Sequence, residues 1–220
     1  MPSSLNFHTS LAPFNTPVRD WLAANPRHHL LVSAVVTLPS APSPSPAESP
    51  SPSPPDTSGK EDKREHDTER VLLLQRAPTD YAPLAWEFPG GTCEPEETVL
   101  QAVARELWEE SGLVARSVDA LVDEREVPEP RYGTVEDPRV RPMWRMVFER
   151  GMPVVRLDPE EHCAFCWASE EDVKRGECEG VRLEWDRAGG GRREVILRGF
   201  EVLRERRERG LLMGGGGVSG

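Results

Sequence analysis

The chain has few cysteines, few lysines and no long apolar run. Its 220 residues include four cysteines, which is too few for a dense disulfide framework and favours a reducing compartment. No stretch approaches the roughly 20 consecutive apolar residues of a membrane-spanning helix, and the first 30 residues lack the basic start and apolar stretch of a secretory signal. We therefore expect a cytoplasmic protein with no membrane partner, and the nucleus stays open as an alternative compartment.

Acidic residues outnumber basic residues by 38 to 27, which gives a formal net charge of −11. Only three of the basic residues are lysines, so the positive charge is almost entirely arginine. A chain this acidic repels a phosphate backbone, which argues against a general nucleic-acid binder. Any polyanionic substrate must instead be met by a metal cation or by a local cluster of arginines.

A Pro- and Ser-rich segment followed by a charged run occupies residues 39–69. Proline removes backbone donors, and the charged run buries too little apolar area to offset its ordering entropy, so we expect a disordered insertion. It separates two apolar runs, 29–38 and 71–77, that are typical of buried strands. It is a plain spacer in the simplest interpretation, and a docking segment for a polyproline-binding partner in another. The rest of the chain divides into a flexible N-terminus (1–12), a folded domain (13–209) and a flexible Gly-rich tail (210–220).

The sequence predicts both helices and strands in the folded domain. A helix is predicted over 95–111, because Val99, Val103 and Leu107 recur on one side and Gly112 supplies a stop signal. Residues 192–209 form a second amphipathic pattern, and a Pro- and Arg-rich loop is predicted over 128–142. This mixture indicates an α/β or α+β sandwich.

Three glutamates on the predicted helix 95–111 are the strongest candidates for chemistry. Glu106, Glu109 and Glu110 leave a helix within an arc of roughly 100°, and carboxylates this close repel one another unless a cation lies among them. Oxygen ligands suit Mg²⁺ or Mn²⁺ rather than Zn²⁺. Arg105 is placed to brace a carboxylate, and Glu97, in the predicted first turn, is placed to pair with it. The alternative is an ordinary solvated helix face.

The wider pattern is more specific than the three acids. Gly90 and Gly91 form a tight turn before the helix, through which backbone can approach a metal or a phosphate. The defined positions over 91–113 are Gly91, Glu97, Arg105-Glu106-Leu107, Glu109-Glu110 and Gly112-Leu113. This pattern resembles the signature of the Nudix hydrolases, and its flanks, VLLLQRAP, WEFPGG and a later acid-to-Trp strand, extend the resemblance over roughly residues 27–208.

The resemblance implies an α/β/α sandwich around a mixed β-sheet that binds Mg²⁺ or Mn²⁺. The implied reaction is hydrolysis of the diphosphate linkage in a nucleoside diphosphate joined to another moiety: a nucleotide sugar, ADP-ribose, a dinucleotide or a nucleoside triphosphate. The alternative is a catalytically silent nucleotide-binding or scaffold module on the same fold. A homodimer through a sheet edge or the last helix also stays open.

The resemblance also assigns roles to residues. Glu106, Glu109 and Glu110 are the implied metal ligands, one of them serving as base, and the Gly90 carbonyl is a further ligand. Arg105 and Glu97 orient the carboxylates, while Gly91 and Gly112 shape the motif. Glu161, six residues before Trp167, is an implied additional metal-site acid and alternative base; because Glu160 is adjacent, a solvated edge acid is an equal interpretation.

Cys163 and Cys166, with His162 beside them and Cys178 nearby, suggest a zinc site. No second ligand pair follows at the usual spacing. We therefore expect these cysteines to pack in the core as small apolar side chains.

Overall fold

The computed structural model describes residues 5–24, 29–38, 69–127, 139–147, 154–185 and 192–209. In chain order the elements are β1 (Asn6–Phe7), a 3-10 helix (Thr9–Phe14), α1 (Val18–Ala24), β2 (His29–Leu30), β3 (Ser33–Val36), β4 (Arg70–Arg76), β5 (Trp86–Glu87), α2 (Val99–Ser111), β6 (Ser117–Val127), β7 (Arg139–Val147), β8 (His162–Ser169), α3 (Glu170–Arg175), β9 (Glu177–Cys178), β10 (Val181–Arg182) and α4 (Arg192–Glu208). None of the described helices is both long and apolar enough to cross a bilayer.

The described strands form a mixed sheet, a smaller antiparallel sheet and a separate antiparallel pair of β9 and β10. In the first, the order is β1-β6-β7-β2, with β3 also pairing with β7. The β6 and β7 strands are antiparallel, whereas β1, β2 and β3 run parallel to the strands they pair with. The second sheet has the order β5-β4-β8, and a bridge between Thr37 and Val71 joins the end of β3 to β4.

Strands β3 and β4 are buried on both faces, which explains their continuous apolar sequences. Ala34 and Val36 belong to the core beneath α2, whereas Val35 belongs to the core beneath α4. The β4 strand alternates in the same way, with Leu72 and Leu73 in opposite cores. Helix residues of the two cores include Val99, Val103 and Leu107 of α2 and Ile196, Phe200 and Leu203 of α4. This three-layer arrangement confirms the predicted α/β/α sandwich.

Helix α2 begins four residues later than predicted. Thr98 is the N-cap, and its hydroxyl and the Gln101 side chain form a reciprocal capping box. The preceding residues stay outside the helix because the carbonyls of Pro95 and Glu97 accept hydrogen bonds from the start of α1. The prediction that Glu97 lies in the first helical turn is therefore wrong. The predicted stop is confirmed, since Gly112 ends the helix in the left-handed conformation.

Several boundaries differ from those expected. The apolar run 29–38 is divided into β2 and β3, because Leu31 and Val32 turn to pair with the segment around Gly91. The β7 strand begins inside the loop predicted over 128–142. Residues 5–12 belong to the range expected to be flexible, yet Asn6–Phe7 pairs with β6 and Leu11 is 2% exposed. Apart from Glu69, the predicted insertion lies outside the described residues, as does the tail 210–220.

Asp172 provides a pH-dependent test of the fold. It closes the capping box of α3 with Ser169 and is 8% exposed. Burial raises its pKa, but hydrogen bonds from Ser169 and the charges of Arg70 and Arg175 outweigh burial, so the pKa lies below its usual value. A depressed folded-state pKa contributes stability above the unfolded pKa of about 4, and that stability is lost as pH falls through the folded value.

We therefore expect Asp172→Asn to lower the free energy of unfolding by about 1 kcal/mol at pH 7, and by less at pH 3.5. Urea unfolding at both pH values measures the difference. Glu171→Gln, an exposed change on the same helix, is the control. Equal stability of the Asp172 variant and the wild type at pH 7 would contradict the assignment.

Candidate active site

Arg105 lies at the centre of the acidic cluster on α2. Its guanidinium donates to Glu97 at 2.7 and 3.1 Å, to Glu106 at 2.9 Å and to Glu109 at 2.8 Å. It also donates to the Thr92 carbonyl at 2.9 Å. Hydrogen bonding to Glu97 is the largest reason that the pKa of Arg105 is raised. The expected ion pair between Arg105 and Glu97 is therefore present. The bond from Arg105 to the Thr92 carbonyl also connects α2 to the segment that follows the glycine turn.

Glu106 is buried directly against Gly91. A Cβ atom at position 91 would lie 2.6 Å from one Glu106 carboxylate oxygen, so only glycine leaves room for this carboxylate. Burial raises the pKa of Glu106 to about 7, opposed by the neighbouring Arg105 charge and reinforced by Glu109 and Glu161. The structure thus keeps a carboxylate that strongly favours a compensating cation.

Glu110, one turn further along α2, reaches the other glycine of the turn. Its Oε2 atom accepts a 2.7 Å hydrogen bond from the Gly90 N–H, and the side chain is almost completely buried. Burial, and next the charge of Glu87, raises the pKa of Glu110 well above its usual value. The Gly90 N–H therefore positions a carboxylate, while the proposed ligand role of the Gly90 carbonyl stays a prediction.

Glu109 differs from its two neighbours. Glu106 and Glu110 line the cleft beside the glycine turn, whereas Glu109 pairs with Arg105 and its side chain is 44% exposed. The three acids predicted to converge are thus divided, two on the wall of the cleft and one at the rim.

The start of β8 supplies a third acid to the cleft. Potential ligand atoms of Glu110, Glu161 and His162 all lie within 4.8 Å of one another. Both Glu160 and Glu161 are exposed, but Glu161 is the one that lines the cleft wall, whereas the backbone N–H of Glu160 bonds the Asp158 side chain. The resemblance singled out Glu161, with a solvated edge acid as an equal interpretation, and the structure places Glu161 at the cleft.

The cysteine pair does not form a metal site with His162. Cys163 is exposed, whereas Cys166 and Cys178 are buried, and all are free thiols. Within the described ranges, the group of potential ligands close enough to share an ion consists of Glu110, Glu161 and His162. Core packing is confirmed for Cys166 and is wrong for Cys163, because successive β8 side chains face opposite sides of the sheet.

The cleft has a volume of about 340 Å³, within the range of small-ligand sites. Its far wall contains Arg76, Asp80, Tyr81 and Glu87. Arg76 forms ion pairs with Asp80 and Glu87 and lies 4.6 Å from the centre of the Tyr81 ring. Sequence reasoning missed Asp80, Tyr81 and Glu87, because their shared wall forms only when β4, β5 and the loop between them are folded.

These residues fit a divalent cation. Glu106, Glu110 and Glu161 line one cleft, and ligand atoms of Glu110 and Glu161 lie within 4.8 Å of each other. Carboxylate oxygens are the donor type that Mg²⁺ and Mn²⁺ prefer. The Glu106 carboxylate lies beside the turn, in the space that a Cβ atom at position 91 would otherwise fill. Arg105, which pairs with Glu106, Glu109 and Glu97, balances only part of this charge.

A family model described as a NUDIX domain matches residues 63–185. The CTP pyrophosphohydrolase of Escherichia coli (strain K12) is 34% identical over 105 residues, which cover 47% of this chain and 70% of that protein. The m7GpppN-mRNA hydrolase NUDT17 of Bos taurus is 52% identical over 44 residues, which cover 20% of this chain and 15% of that protein. The NUDIX domain of Shewanella oneidensis NrtR complexed with ADP ribose has the same fold, with a TM-score of 0.52, 16% identity, and coverage of 86% of this chain and 97% of that chain. The chain therefore belongs to the Nudix hydrolase family.

Proposed function

We propose that this chain hydrolyses the diphosphate linkage of a small nucleotide in a reaction that depends on Mg²⁺ or Mn²⁺. The observation that carries the proposal is the meeting of three carboxylates, Glu106, Glu110 and Glu161, at one cleft beside the Gly90–Gly91 turn. A module that only binds nucleotides has no need for a cluster of acids in its cleft, because their charged forms repel a phosphate chain unless a cation neutralises them.

In this proposal, Glu110 and Glu161, whose ligand atoms lie close enough to share an ion, hold the divalent cation, and Glu106 on the same cleft is a further ligand. The bound cation supplies Lewis acidity and charge neutralisation to the diphosphate oxygens. Arg105 fixes the orientation of Glu106, and the Gly90 N–H fixes that of Glu110. A carboxylate oxygen of the cluster accepts the proton of the attacking water. Attack on phosphorus then breaks the bridging P–O bond and yields two phosphate-bearing products.

Small nucleotides fit the site better than polymers do. The net charge of −11 disfavours a long phosphate backbone, and the cleft accommodates one compact ligand. Its wall includes Tyr81, whose side chain is partly exposed and offers an aromatic face. Because a relative that aligns over much of its length is a CTP pyrophosphohydrolase, nucleoside triphosphates are the first class to test. ADP-ribose, nucleotide sugars and dinucleotides follow.

A substrate panel tests the proposal. We expect phosphate or pyrophosphate release from at least one nucleotide class with Mg²⁺ or Mn²⁺, and complete loss of release with excess EDTA. Product identification by mass spectrometry in ¹⁸O-labelled water shows which phosphorus is attacked. Tight nucleotide binding without turnover, under every metal condition, would favour the silent binding module instead.

A further inference from the structure

His162 is a buried imidazole beside the acidic cleft. Its backbone N–H bonds the Asp158 carbonyl at 2.8 Å, which fixes the residue at the start of β8. The side chain is only 2% exposed. Among the described residues, neither ring nitrogen has a hydrogen-bond partner. The Glu87 carboxylate is near, but its Oε1 atom lies 3.8 Å from His162 Nε2, which is beyond hydrogen-bond distance.

The buried ring of His162 has polar atoms that the described residues leave without a hydrogen bond. Leaving a buried polar group unpaired is unfavourable, and most buried polar atoms in folded proteins have a partner. A neutral imidazole has one donor and one acceptor nitrogen. The acceptor nitrogen is also an effective ligand for divalent transition metals. A cation in the adjacent cleft would therefore satisfy the group that the protein leaves unsatisfied.

The distances agree with a shared ion. Metal–ligand bonds of about 2.1 Å place two ligand atoms on one ion roughly 3–4 Å apart. Potential ligand atoms of His162, Glu110 and Glu161 already lie within 4.8 Å of one another. Glu161 is exposed, so its side chain has room to move towards an ion beside the two buried groups.

We propose that His162 supplies a nitrogen ligand to a cation held also by Glu110 and Glu161, which makes the centre a mixed nitrogen–oxygen site. The inference rests on the proposed function only for the location of the metal. Glu87, held by Arg76 and by Arg192, whose Nε lies 3.0 Å from it, is a further carboxylate near the ring, 3.8 Å from His162 Nε2. A carboxylate that orients a ligating imidazole is a frequent arrangement around protein metals.

The ligand type has a consequence for metal choice. Carboxylate-only sites suit Mg²⁺, whereas an imidazole ligand favours Mn²⁺, Co²⁺ and later metals relative to Mg²⁺. The wild type should therefore bind Mn²⁺ and Co²⁺ substantially more tightly than Mg²⁺. Replacing the imidazole by an oxygen ligand should reduce that preference.

The test uses the full-length chain without a histidine tag. Pulsed EPR of the Mn²⁺-loaded wild type should show ¹⁴N modulation from a coordinated imidazole, and His162→Gln should abolish it. By calorimetry, His162→Gln should weaken Mn²⁺ binding about 10–100-fold and Mg²⁺ binding less than about 3-fold. His8→Gln, which changes an exposed imidazole bonded to Ser10, is the matched control and should leave both readouts unchanged.

Absence of ¹⁴N modulation in the Mn²⁺-loaded wild type, or absence of Mn²⁺ binding, would overturn the inference without any variant having to fold. The outcome is separate from that of the proposed function. Nucleotide hydrolysis with no nitrogen coupling would reject only the ligand role of His162. Nitrogen coupling without hydrolysis of any nucleotide would support the ligand role and reject the proposed activity.

Discussion

Replacing Glu110 by glutamine is expected to reduce kcat at least about 100-fold while the fold survives. Glutamine has the same shape, and its amide oxygen can still accept the hydrogen bond from the Gly90 N–H. The change removes the negative charge that would hold the cation. Because burial raises the pKa of Glu110, loss of this charge relieves a desolvation cost, and the melting temperature should stay the same or rise.

Steady-state kinetics at saturating Mg²⁺, together with thermal unfolding, measure both effects. Glu106→Gln should behave in the same way, because Glu106 is buried on the same wall. Glu160→Gln removes an equal charge from an exposed position near the cleft and should retain wild-type turnover. Wild-type turnover in both the Glu110 and Glu106 variants would reject the site.

The two glycines of the turn should respond differently to alanine. At Gly90 a Cβ atom would lie 2.0 Å from the Val32 carbonyl oxygen and 2.6 Å from the Ser33 Cα, at a φ of +151°. Backbone cannot yield there, so Gly90→Ala should cost about 3 kcal/mol or more of stability. At Gly91 the Cβ would meet the end of the Glu106 side chain, which can move. Gly91→Ala should therefore fold, and lose at least about 10-fold in kcat because Glu106 is displaced.

Chemical unfolding and kcat of both variants separate the two mechanisms. Gly180→Ala is the control for backbone strain alone, since Gly180 has a φ of +80° and a Cβ atom added there would have no neighbour within 4 Å. It should lose only about 1 kcal/mol of stability and no activity. Wild-type stability of Gly90→Ala, or wild-type turnover of Gly91→Ala, would contradict this account of the turn.

The local sequence was sufficient to predict the buried face and the end of α2, and much of the motif. The periodicity of Val99, Val103 and Leu107 identified the buried face of α2, and Gly112 identified its end, because both signals lie within one helix. The start of α2 was misplaced, because Pro95 and Glu97 use their carbonyls to bond α1. That contact joins segments far apart in the chain, and no local pattern reports it.

The same division applies to the site. The amino-acid sequence by itself determined the glycine turn, the acidic helix and the family, since these features depend on spacing within 91–113. Only the tertiary structure decided that Glu109 lies at the rim, that Glu161 lines the cleft instead of being a solvated edge acid, and that His162 is buried beside it. The physical reason is that the pairing of β8 with β4 fixes which β8 side chains face the cleft, and this pairing joins residues that are distant in the chain.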